Sequence, residues 1–154
     1  MKYLLDTCII SELVKPKPNT QVTDWVHAAT SDALFLSVLT IGEVRKGLTK
    51  LPDSKKKEQL ILWLNTLLEE YTERIIPVDL AVSENWGTIQ GNAEKMGTPM
   101  STIDGLIAAT ASTHNLILVT GNESDFAPSQ ITLINPWKIE KQEKVDSQKK
   151  EVET

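Results

Sequence analysis

The tetrapeptide Leu-Ile-Leu-Val at residues 116–119 constrains this chain more than any other feature, because it is apolar at every position and bounded on both sides by polar residues. Four residues are too few for a helix, and a run with no polar face fits an interior strand of a parallel sheet, covered on both sides. The preceding residues supply the cover. Ser101 is placed to cap a helix over 102–114, and Asp104 stands three residues on, where a carboxylate meets the positive end of the helix. Asn115 suits the exit because Asn tolerates the left-handed conformation that often ends a helix. Residues 98–126 therefore read as a loop, a helix, a strand and a polar loop, with one acid at the helix start, Asp104, and another just past the strand, Asp125.

The same alternation runs through the rest of the chain. Residues 2–5 read as a first strand ending at Asp6, followed by a short helix over 7–14 that the Pro16-Lys17-Pro18 segment stops. Asn19 is placed to cap a helix over 20–29, and 33–38 is apolar enough for a second interior strand. Thr40 reads as the cap of a third helix, with Glu43 three residues later. Asp53 reads as the cap of a long helix to residue 73, whose stripe Leu60, Leu64, Leu67, Leu68 and Tyr71 leaves Ile61 and Trp63 outside it. Apolar residues on more than one face suggest a second partner, hence a homodimer. Residues 75–78 form a third strand that Pro77 demotes to an edge or strand end. A helix over 80–96 closes at Gly97, and 131–134 is a last short strand. Residues 138–154 carry five acids and five bases with almost nothing to bury, which predicts a disordered tail. The expected fold is α/β, with helices on both sides of a central, mainly parallel sheet of four to five strands and right-handed crossovers.

In such a sheet the strand exits share one edge, so Asp6, Glu43, Asp104 and Asp125 should approach the same rim. Each acid alone has a plainer account as a cap or a turn residue. Together they repel, since two unit charges about 4 Å apart cost on the order of 4 kcal/mol at an effective dielectric near 20. A hard cation would neutralise that arrangement, and with only oxygen donors on offer Mg²⁺ or Mn²⁺ is the expected ion. At 154 residues the chain suits one domain, and a single cysteine, Cys8, leaves no intrachain disulfide, which favours a cytoplasmic setting. Asp6 interrupts the apolar N-terminus, so neither a secretory signal nor a membrane span is expected. The net charge of −5 argues against broad non-specific nucleic-acid binding unless a local basic patch or bound cations override it.

The segments LLDTCIISEL, LTIGEVRKGL, STIDGLIAATA, VTGNESDF and NPW, in this order over residues 1–137, resemble a PIN-domain ribonuclease, and most of all the VapC-type toxins of toxin–antitoxin pairs. The resemblance implies a PIN-like three-layer α/β/α fold and an endoribonuclease dependent on Mg²⁺ or Mn²⁺, with Asp6, Glu43, Asp104 and Asp125 as its acidic site. It also implies a homodimer, a heterotetramer or larger assembly with an antitoxin, and inhibition by that cognate antitoxin over the active site. The RNA substrate would be tRNA or rRNA. The family often has a basic residue before the Asn of its last motif, and here Gly121 precedes Asn122.

Within that reading Asp6 and Asp104 are the main metal ligands, while Glu43 and Asp125 orient water or hold a second ion. Thr7, Ser11, Thr120 and Asn122 are the supporting polar residues, open also to ordinary capping or solvation. Arg45, Lys46 and Lys50 are candidates to track RNA phosphates, with the run Lys55, Lys56 and Lys57 equally open to being a solvated helix face. Cys8 reads as a small buried hydrophobe, and Trp25, Trp63, Trp86 and Trp137 as core or interface. Three rivals share the first-strand Asp. An aspartyl phosphatase or phosphotransferase needs an acid two residues on, where Cys8 stands. A receiver domain wants neighbouring acids before that Asp. The third rival is a catalytically silent binding module, which would have no need of a cation.

Overall fold

A computed structural model describes residues 1–139. The expected disordered tail began at 138, but Lys138 and Ile139 are helical and Lys138 pairs with Glu123; the rest of that tail lies outside the described residues. Five strands form one sheet: β1 (Tyr3–Leu5), β2 (Leu34–Ser37), β3 (Ile75–Ile76), β4 (Ile117–Val119) and β5 (Leu133–Ile134). Their spatial order is β3-β2-β1-β4-β5 and every pairing is parallel. The α-helices are α1 (Thr7–Leu13), α2 (Thr20–Ala28), α3 (Val38–Thr49), α4 (Lys55–Glu70), α5 (Leu80–Lys95), α6 (Thr102–Thr113) and the single turn α7 (Glu123–Phe126), with short 3-10 turns at Ser31–Ala33 and Ala127–Ser129. None of them is long and apolar enough to cross a membrane.

Alternation along the strands divides the core. Leu5, Leu34, Leu36 and Val119 face one cluster with Ile9, Ile10, Val22, Leu64 and Tyr71. Leu4, Ile76 and Leu118 face the other with Ile107, Ala108, Ala111 and Phe126, as the period of two in a strand requires. Helix α5 packs against α6. Ile61 and Trp63, which the helix pattern left outside the α4 stripe, pack partly buried on the first cluster. They are accounted for within the chain, and Leu62 is the strongly exposed apolar residue of that helix. Strand β3 is an edge, as Pro77 predicted.

The helix ends show where local chemistry decides. Ser101 accepts the Asp104 N–H at 3.2 Å. At the other end of α6, Asn115 takes φ 54° and the Leu116 N–H reaches back to the Ala111 carbonyl at 2.8 Å, a Schellman closure. Helix α5 ends in the same way at Gly97, with φ 77° and the Thr98 N–H on the Ala93 carbonyl at 2.8 Å. Two expected caps are displaced. Ser37, not Thr40, caps α3 by accepting from Leu39 N, and Ser54, not Asp53, caps α4 by accepting from Lys57 N. In each case the residue nearer the true boundary has the extended backbone a cap needs, and Asp53 pairs with Lys57 instead.

Replacing Gly97 by Ala meets open space but keeps the positive φ, so only left-handed strain opposes it. Gly97→Ala is expected to lower unfolding free energy by about 1 kcal/mol in a urea titration.

Candidate active site

The sheet order places its reversal between β1 and β4, which pair in register from Tyr3 opposite Ile117 to Leu5 opposite Val119. The next residues, Asp6 and Thr120, therefore leave the sheet side by side at its carboxyl edge, where such folds open a crevice. The Asp6 N–H still donates to the Val119 carbonyl at 3.0 Å, and the Thr120 hydroxyl donates to Asp6 Oδ2 at 2.8 Å. The other oxygen, Oδ1, accepts the Thr7 N–H at 2.8 Å. Asp6 is 4% exposed and Thr120 wholly buried, so this carboxylate has little freedom to turn.

Glu43 arrives from a different element. Because α3 starts at Val38, Glu43 sits in its second turn rather than at a capping-box position. The Thr7 hydroxyl donates to Glu43 Oε1 at 2.6 Å. A hydroxyl has one proton, so the 3.3 Å contact from Thr7 Oγ1 to the buried Thr40 Oγ1 is the weaker alternative. Thr7 thus joins two acids, donating its amide to Asp6 and its hydroxyl to Glu43. Asp104 stands in the first turn of α6. Asp125, expected in a loop, lies in the single helical turn α7 and is exposed.

Electrostatics tie the four together. Burial pushes the Asp6 carboxyl above the ordinary aspartate range; hydrogen bonds from Thr120, Thr7 and Cys8 pull it down, and the charge of Asp104 adds to the rise. Burial also raises Asp104, opposed by the Ser101 hydroxyl and reinforced by the charges of Asp125 and Glu43. Asp104 is thus linked by charge to each of the other three acids: it acts on Asp6, and Asp125 and Glu43 act on it. Among the described residues no three of these side chains close into a ready cage for a metal ion. The donor set is nonetheless all carboxylate oxygen, the chemistry that suits a hard divalent cation.

The remaining candidates divide. Thr7 and Thr120 hold carboxylates. Ser11 makes no side-chain hydrogen bond among the described residues and lines a neighbouring cavity. Asn122 contributes its backbone, the N–H donating to Thr120 Oγ1 at 3.0 Å, and its exposed side chain caps nothing. Lys46 and Lys50 fall three and seven residues after Glu43, on its helix face, whereas Arg45 is turned about 200° away; all three are exposed. Lys57 is occupied with the Leu51 carbonyl at 3.0 Å. Cys8 is a contact residue rather than simple filler. Its thiol lies 3.5 Å from both Asp6 Oδ2 and Thr120 Oγ1 and receives the Gly121 N–H at 3.4 Å, and burial, then the charge of Asp6, pushes its pKa up. A Cβ on Gly121 would stand 2.7 Å from Trp137 Cζ3, so a glycine at this position lets that indole lie on the backbone. Thr40, Glu12 and Trp137 escaped the sequence reading as parts of this region; the i, i+4 spacing of Cys8 and Glu12 was the available signal.

The chain belongs to the PIN domain family, whose match spans residues 3–127. Among its relatives is Toxin FitB of Neisseria gonorrhoeae, 35% identical over 135 residues, covering 87% of this chain and 97% of the relative. Another is the VapC ribonuclease Y4jK of Sinorhizobium fredii, 34% identical over 138 residues, with 87% and 96% covered. In three dimensions the chain superimposes on FitAcB from Neisseria gonorrhoeae with a TM-score of 0.85 at 34% identity, over 88% of this chain and 99% of that one. It likewise matches VapBC2 from Rickettsia felis bound to a DNA fragment from its promoter, with a TM-score of 0.72 at 27% identity, over 88% and 98%.

Raised carboxyl pKa values have a definite sign. Where the folded state holds protons more tightly than the unfolded chain, stability falls as pH rises, from the ordinary aspartate range upward. At neutral pH the ionised Asp6 and Asp104 therefore oppose folding. In chelator, Asp104→Asn is expected to raise Tm by about 2–4 °C, and Mg²⁺ or Mn²⁺ to raise Tm of the wild type more than that of the variant, as differential scanning fluorimetry would show.

Proposed function

We propose that this protein is a metal-dependent endoribonuclease that acts as the toxin of a toxin–antitoxin pair. The observation that carries this reading is the group of four charge-linked carboxylates at the β1/β4 reversal, one of them buried and held by Thr120. Relatives named VapC ribonuclease and Toxin FitB over nearly their whole length support it, as does the fold shared with FitAcB and with a DNA-bound VapBC2. The substrate would be the phosphodiester backbone of a structured RNA such as tRNA or rRNA.

Asp6 and Asp104 would hold the Mg²⁺ or Mn²⁺, with Glu43 and Asp125 at the rim. When bound, the cation would lower the pKa of its water and stabilise the charge that builds on a phosphodiester under attack. The chain's own work is positioning. Thr120 and the Thr7 amide fix both oxygens of Asp6. The Thr7 hydroxyl fixes Glu43 Oε1, leaving Oε2 to orient an attacking water or accept its proton. Lys46 and Lys50, on the Glu43 face, would carry RNA phosphates past the site.

A cognate antitoxin that covers the acidic rim, homodimers, and heterotetramers or larger complexes with that antitoxin belong to the same proposal. So does a cytoplasmic location, where the RNA is.

Purified protein is expected to cut total RNA in Mg²⁺ or Mn²⁺ and to stop in chelator. Asp6→Asn should lower the rate by roughly 100-fold or more with circular dichroism unchanged; a fully active variant would sink the reading. Thr120→Val keeps the shape and removes the hydrogen bond to Asp6. It is expected to cost about 10- to 100-fold in rate or in the cation concentration needed for half-maximal cleavage, read from a metal titration of the same reaction.

A further inference from the structure

Beside the acidic rim lies an open cavity of about 560 Å³ that the four carboxylates do not use. Thr7, Ser11, Glu12, Lys15, Asn122 and Trp137 are among the residues that line it. Thr7 belongs to both, so a molecule seated in the cavity would adjoin whatever the acids hold.

The cavity contains a nearly buried carboxylate outside the acidic rim. Glu12 is only 7% exposed, and Lys15 Nζ holds its Oε2 at 2.6 Å as an ion pair. No backbone N–H or neutral side chain among the described residues donates to that oxygen. The pair supplies charge balance, and a purely apolar ligand would leave its acceptor oxygens unused. Lys15 matches the charge from one side, and a carboxylate has further lone pairs for N–H donors. A second cation would crowd Lys15, whereas a neutral planar group with N–H donors would not.

Resting on the ribonuclease reading above, we propose that this cavity is a guanine-recognition subsite, in which Glu12 accepts from the N1–H and N2 amino group of a guanine next to the cleaved phosphate. Guanine presents two adjacent donors and then the O6 acceptor on one edge, which matches a carboxylate followed by Lys15 Nζ or the Asn122 side-chain amide. Adenine and cytosine would set a ring-nitrogen acceptor against Glu12, and uracil offers one donor between two acceptors. Such mismatches are rejected more strongly than a simple loss of contact, because they leave a buried polar group facing another acceptor. The Trp137 indole supplies a planar wall of the kind on which bases stack, and Gly121 keeps it against the backbone there. Ser11, which makes no hydrogen bond to the carboxylates, lines the same cavity and is available to the ribose or phosphate of that nucleotide.

The test is digestion of a randomised RNA pool in Mg²⁺ or Mn²⁺, with cut positions read by sequencing. The wild type is expected to favour guanine at one fixed position beside the cut by about tenfold or more. Glu12→Gln should bring that preference close to even while cleavage stays metal-dependent. Lys15→Ala, at a side chain that is 61% exposed, should weaken it several-fold and carries the test if the Glu12 variant fails to fold by circular dichroism. Metal-dependent cutting without a favoured base, or a guanine preference that survives both substitutions, overturns the subsite and leaves the nuclease reading standing. No cleavage of the pool or of total RNA overturns both. A final check titrates the wild type with guanosine 5′-monophosphate or L-arginine amide while following the Trp137 indole N–H by NMR. A shift with the nucleotide supports the subsite; a shift with arginine amide alone assigns the cavity to a basic protein side chain and overturns it.

Discussion

The hydrogen bond from the Thr120 hydroxyl to Asp6 Oδ2, 2.8 Å long between two residues 114 positions apart, is the interaction on which the arrangement of the site depends. It exists because β1 and β4 are parallel neighbours in a register that ends Leu5 opposite Val119. A one-residue slip would turn Asp6 to the wrong face of the sheet and bury an acid in an apolar layer. Beneath this edge Leu4, Leu5, Leu118 and Val119 are all fully buried and pack the two strands into the sheet. The chemistry at the sheet edge is thus set by hydrophobic packing a few ångströms beneath it.

The same packing makes the site costly to keep without a counter-charge. Burial is the largest cause of the raised pKa of both Asp6 and Asp104; the charge of Asp104 adds to the first, and the charges of Asp125 and Glu43 add to the second. The fold answers with donors: the Thr120 hydroxyl, the Thr7 amide and the Cys8 thiol all turn toward Asp6. These donors hold geometry but cannot remove the repulsion, because each is neutral and weaker than a cation between charges in a poorly solvated crevice. Thr7 is economical in this respect, one residue steadying acids from two elements.

Much of this was legible along the chain. The apolar tetrapeptide at 116–119 and its equivalents near 3–5 and 34–37 foretold parallel interior strands, since nothing else accommodates a short run apolar on both faces. The caps Ser101, Asn115 and Gly97 were readable because each acts within one turn of its own helix. Where two candidate caps stood close together the sequence could not choose: Ser37 lies three residues before Thr40, and Ser54 directly follows Asp53. The start of α3 at Val38 shows that the end of β2 in the sheet, rather than the local hydroxyl pattern, decides where the helix begins.

The sequence by itself determined the fold class, the number of strands to within one and the presence of acids at several strand exits, because those follow from periodicity and local capping. It named Asp6, Glu43, Asp104 and Asp125, and Thr7 and Thr120 beside them. Only the tertiary structure decided that Thr7 bridges Asp6 and Glu43, that Cys8 touches Asp6 as well as the core, and that Gly121 makes room for Trp137. It also set Glu12 and Lys15 around a cavity with Asn122 and Trp137. These are contacts between residues far apart in the chain, and no periodicity encodes them; they arise where strand order and register bring separate loops to one edge.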